Sequence, residues 1–84
     1  MNFDNYRYFA AAAEELNFTK AARKLFMTQQ ALSKQIDKME KEYNTRLFNR
    51  ETPMSLTPAG ECMSRHACRI LDNERQMRAE LDAV

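Results

Sequence analysis

Gly60 is the only glycine of this 84-residue chain, and Pro53 and Pro58 are its only prolines. Both residue types break helices, one through backbone freedom and the other through a missing N–H and a locked φ. Their clustering leaves everything outside residues 44–58 free to be helical. Eighty-four residues suffice for one domain and for a modest core. The expectation is a mainly α chain with a single irregular stretch two-thirds of the way along.

Apolar spacing fills in the helices. Tyr6, Phe9, Ala10, Ala13 and Leu16 recur at helical intervals and predict a first helix over 3–16. Asn2 or Asp4 can cap its start, and Asn17, tolerant of the left-handed conformation, can end it. Phe18, Ala21, Ala22 and Leu25 predict a second helix over 19–25, capped by Thr19, whose paired alanines let another helix approach closely. Thr28 is the expected cap of a third helix over 29–43, with Ala31, Leu32, Ile36, Met39 and Tyr43 on its buried side. The link between the second and third helices is too short for them to lie antiparallel, and suits a helix-turn-helix, although the turn lacks the frequent glycine. Leu47-Phe48 and Met54-Ser55-Leu56, joined through 49–53, read as a small hairpin or wing. Thr57 as cap and Pro58 at the first helical position then restart a helix.

Charge is segregated along the chain. The net charge is only +1, but 18–50 holds eight basic and three acidic side chains, a local balance of +5 that leaves −4 for the remainder. A basic middle of this kind is a footprint for a polyanion. Opposite the apolar stripe of the third helix stand Gln29, Gln30, Ser33, Lys34, Asp37 and Lys38. A B-DNA major groove admits a helix, where glutamine can bond adenine in bidentate fashion and lysine can reach guanine acceptors or phosphates. Thr19 and Lys20, with the amides that open the second helix, are placed to meet phosphates. The expected DNA-binding set is Thr19, Lys20, Thr28, Gln29, Gln30, Ser33, Lys34, Lys38 and, from the wing, Arg50.

Met63, Ala67, Ile70, Glu74, Met77, Leu81 and Val84 alternate in steps of four and three, a heptad seam with one polar interruption. With no later segment to fold back on, this stripe is expected to pair with a second copy through Met63, Ala67, Ile70, Met77 and Leu81. The final helix carries no stop signal, which suggests a piece of a longer protein. Cys62 and His66 share a helix face but lack further ligands, so no metal is expected. Cys62 and Cys68 cannot be bridged within one helix. Two cysteines and no long apolar run point to a reducing, cytoplasmic setting without a membrane span. One histidine, no glycine-rich loop and no paired carboxylates argue against an enzyme. A dimeric helical adaptor using its basic face on an acidic protein is the alternative to a DNA binder.

Taken together, "FTKAARKL", "TQQALSKQIDKME", "RLFNR" and "LTPAG" resemble the LysR-type transcriptional regulators, over essentially the whole chain. The resemblance implies a winged helix-turn-helix over 1–57 (three-helix core, short two-stranded wing) followed by a long dimerisation helix over 58–84. It also implies an interrupted palindrome as target, no cofactor, and a small-molecule effector only for a ligand-binding domain further along, which this chain does not include. The sequence departs from the family pattern at Gln30, where proline is common, and in a wing loop, 49–55, whose only basic residue is Arg50.

Overall fold

A computed structural model describes residues 2–84. The order is α1 (Phe3–Glu15), α2 (Phe18–Lys24), α3 (Gln29–Glu42), β1 (Phe48–Asn49), β2 (Ser55–Leu56) and α4 (Pro58–Asp82). The two strands form an antiparallel hairpin with Phe48 opposite Leu56 and Asn49 opposite Ser55. This is the expected winged helix-turn-helix with a long helix behind it.

The caps explain where each helix begins. Asn2 accepts from the Asn5 N–H, Thr28 from that of Ala31, and Thr57 from that of Gly60. The second helix differs from expectation: its cap is Asn17, accepting from the Lys20 N–H at 2.9 Å, not Thr19. Asn17 therefore sits in extended backbone, and the left-handed turn that ends α1 falls to Leu16 at φ 48°. With only Leu16 and Asn17 between the two helices, Leu16 ends the first and Asn17 starts the next. Phe26 takes the left-handed position of the helix-turn-helix at φ 57°, where glycine is the easier residue. The Met27 N–H donating to the Ala22 carbonyl at 2.9 Å helps close that turn. α3 ends in a Schellman motif: Asn44 is left-handed at φ 52°, its N–H donates to Lys41, and the Thr45 N–H donates to Glu40.

Phe9, Ala12, Ala21, Ala22, Leu32, Ile36, Met39, Leu47, Phe48 and Ala67 form the core. Phe9 and Phe18 each pack a ring on Phe48 at 5.3 and 5.4 Å between centroids, joining α1, α2 and β1. Tyr43, expected in the core, is the C-cap of α3 and is 45 % exposed. Its phenol keeps its proton to higher pH than usual, first through partial burial and then through Tyr6 and Glu42.

α4 corrects the expectation of a stripe without an intrachain partner. Its first half packs on α1. Ala67 is completely buried there and Met63 lies against the core, so neither is free to face a second copy. Ala10 and Ala13, on the other side of α1 from its buried Ala12, line a gap with Ser64, Cys68 and Leu71. The alanine run thus gives α1 two packable sides. Gly60 is where α4 meets the wing. A Cβ there would lie 2.0 Å from the Leu47 carbonyl oxygen, so only glycine fits. Beyond Ile70 the stripe runs out of partner: Met77 is 52 % exposed and Leu81 62 %.

Candidate nucleic-acid interface

The start of α3 and the outer side of α2 form one polar surface. Thr19, Lys20, Thr28, Gln29, Gln30, Lys34 and Lys38 are all exposed, and Ser33 is half-buried among them. Thr28 both caps α3 and lies in this surface, so its oxygen is partly committed to the Ala31 N–H at 3.1 Å. The α2 amides are less available than expected, since Asn17 already takes the Lys20 N–H. Thr19, released from capping, offers a free hydroxyl instead.

Ion pairing separates the cations into two groups. Lys24 is bound to Glu15 at 3.0 Å and Glu14 at 3.5 Å, a contact that holds its ammonium protonated to higher pH, the hydrogen bond to Glu15 contributing most. Arg7 is bound to Asp4, Arg46 to Glu40, Arg75 to Asp72 and Arg78 to Glu74. Among the described residues, Lys20, Arg23, Lys34, Lys38 and Lys41 on α2 and α3 have no carboxylate partner, nor do Arg65 and Arg69 on α4. Arg23 is an exposed free cation that its position, on the turn after Lys20, could have added to the sequence-derived set.

Arg50 departs from expectation. Its guanidinium turns inward, donating from Nη2 to Asp37 Oδ1 at 2.7 Å and to Glu40 Oε1 at 3.1 Å, and from Nη1 to Ser33 Oγ at 3.5 Å. Its central carbon lies 5.1 Å from the centre of the Phe18 ring. Glu40, which sequence reasoning passed over, is the only buried charged residue among those described, at 8 % exposure. Its other oxygen accepts from the backbone N–H groups of Leu47 at 2.8 Å and Phe48 at 3.4 Å. One acid thereby holds the start of β1 and, through Arg50, the start of the wing loop. Between this cluster and the wing tip runs an open groove of about 740 Å³, lined by Asn17, Phe18, Gln29, Ser33, Arg50 and Met54 among others.

Residues 3–61 match the family described as bacterial regulatory helix-turn-helix protein, lysR family. The chain belongs to that family. This LysR-family chain is 40 % identical over 83 residues to the HTH-type transcriptional regulator CatR of Pseudomonas putida, covering 92 % of this chain and 29 % of CatR. It is 41 % identical over 78 residues to the HTH-type transcriptional regulator BenM of Acinetobacter baylyi, covering 92 % of this chain and 26 % of BenM. It thus spans under a third of the length of these relatives. Among solved structures, the BenM DNA-binding domain in complex with its benA site 1 DNA superposes with a TM-score of 0.95 at 38 % identity, covering 99 % of this chain and 94 % of that one. The family is one of transcription regulators and not of enzymes, and the adaptor reading is not favoured.

Proposed function

We propose that this LysR-family domain binds double-stranded DNA sequence-specifically as a homodimer. The N-terminal half of α3 lies in the major groove, and the long helix sets the spacing between two copies. The carrying observation is the polar surface of α2 and α3, where amides, hydroxyls and unpaired cations stand together on a rigid, capped helix. Gln29 and Gln30 are assigned to base edges, with Ser33 and Lys34 at the edge between bases and backbone. Thr19, Thr28, Lys20 and Lys38 are assigned to phosphates, which fix register without reading sequence. An open groove separates Gln29 on α3 from Met54 on the wing.

The apolar residues left bare on α4, Met77 and Leu81 with half-buried Ile70, are assigned to the second copy, in an antiparallel or crossed pair. A two-fold pair of such domains reads two half-sites about one helical turn, roughly 34 Å, apart or multiples of it, hence an interrupted palindrome. A small-molecule effector belongs to the part of the relatives' length that this chain does not span. The protein acts where bacterial DNA is, in the cytoplasm; among the described residues no helix is long and apolar enough to cross a membrane.

Selection from random duplexes, followed by binding of single-base variants, tests this reading. Gln29→Ala is expected to lose discrimination at one position per half-site, by about 1–3 kcal/mol for a bidentate pair. An unchanged ranking of all variants would take Gln29 out of the reading surface.

A further inference from the structure

Asp37 poses a problem that the proposed function leaves open. It sits one turn beyond Ser33 on the face of α3 assigned to DNA, and its side chain is 49 % exposed. A bare carboxylate there, with Glu40 just behind it, would repel the phosphates that Lys34 and Lys38 attract. Arg50 is placed between the two acids: one nitrogen, Nη2, reaches both, Asp37 at 2.7 Å and Glu40 at 3.1 Å. Arg46 stands 3.6 Å from Glu40 on the exposed side and makes no ion pair with Asp37. Arg50 is therefore the only cation among the described residues in ion-pair contact with Asp37. Its remaining surroundings are also occupied, by the Ser33 hydroxyl and the Phe18 ring.

We propose that Arg50 is a positioning residue for DNA binding that acts through Asp37, cancelling an acid on the reading face and tying the wing to α3, and that it takes no phosphate of its own. The proposal rests on the reading of α3 as the DNA-contacting helix. A guanidinium in bidentate or stacked surroundings is a rigid fork, whose loss leaves its acids without a partner. An Arg50 that reached out to a phosphate would have to abandon both carboxylates and the Phe18 face.

The test is a double-mutant cycle on duplex binding, with Arg50→Gln, Asp37→Asn and the pair together, read at a temperature where circular dichroism shows each chain folded. Arg50→Gln is expected to weaken binding to every duplex alike, by about tenfold. Adding Asp37→Asn is expected to recover most of that loss, although the double variant holds no cation at position 50. A phosphate ligand behaves differently: the loss persists undiminished when Asp37 is neutral, and that result overturns the proposal. Should Arg50→Gln fail to fold, the Arg50 guanidinium resonance of the unaltered chain decides during titration with duplex. A resonance that stays put supports the proposal, and a large shift, signalling exchange of Asp37 for phosphate, overturns it. If the unaltered chain binds no duplex at all, the α3 reading itself fails, an outcome distinct from either of these.

Discussion

α3 and α4 are both amphipathic, yet they leave opposite surfaces bare. α3 buries Leu32, Ile36 and Met39 completely and presents amides, a hydroxyl and three lysines without acid partners. The distal half of α4 does the reverse. Its two arginines are tied to acids one turn earlier on their own helix, Arg75 to Asp72 at 2.7 Å and Arg78 to Glu74, while Met77 and Leu81 stand in solvent. Self-neutralised surface charge adds little stability and leaves little field to attract a polyanion. The apolar area beside it is favourable to cover, at about 25 cal/mol per Å². One helix is thus prepared for a charged partner and the other for an apolar one.

The largest effect expected from breaking this division lies in the packed half of α4. Gly60→Ala forces a methyl group onto the Leu47 carbonyl, a backbone atom that cannot swing aside. Chemical denaturation should show destabilisation at or above the top of the about 1–3 kcal/mol range for overpacking. By contrast, Leu81→Ala in the bare half should change the stability of the monomer by no more than about 0.5 kcal/mol. Equal effects would mean that α4 is packed uniformly along its length.

Assembly should respond in the opposite sense. Ile70→Glu with Leu81→Glu is expected to keep the helix content of the chain but raise its dimer dissociation constant by more than about tenfold, the equivalent of 1.4 kcal/mol. Binding to a palindromic site should weaken in step. Sedimentation reads this directly, and an unaltered chain that stays monomeric at high concentration would remove the bare stripe of α4 from the interface.

The fold was legible in the sequence where signals are local. Thr28 and Thr57-Pro58 mark the starts of α3 and α4 because a cap acts on an amide three residues away. The clustered Pro53, Pro58 and Gly60 marked the irregular stretch for the same reason. Asn17 and Thr19 were harder to separate, since either side chain can accept from an early amide and only the two-residue junction, Leu16 and Asn17, decides between them. The partner of α4 was not legible: an amphipathic stripe states that something covers it, and α1, more than forty residues earlier, does so through alanines that also suit an ordinary core. Arg50 is the plainest case. A lone basic residue in a wing reads as a DNA ligand, but its acids, Asp37 and Glu40, are thirteen and ten positions back and meet it only after the chain has folded.

The smallest of the expected effects tests the division between α3 and α4 most directly. Each phosphate neutralised by a protein cation contributes about −0.9 to the slope of log affinity against log salt on B-DNA. The slope should be measured for the unaltered chain, for Lys20→Ala and Lys34→Ala, and for Arg75→Ala. A reduction of about one unit is expected for each lysine variant, with weaker binding to all duplexes, and no change for Arg75→Ala. A slope that is indifferent to Lys20 and Lys34 but falls when Arg75 is removed would contradict it, because the polyanion would then lie along α4.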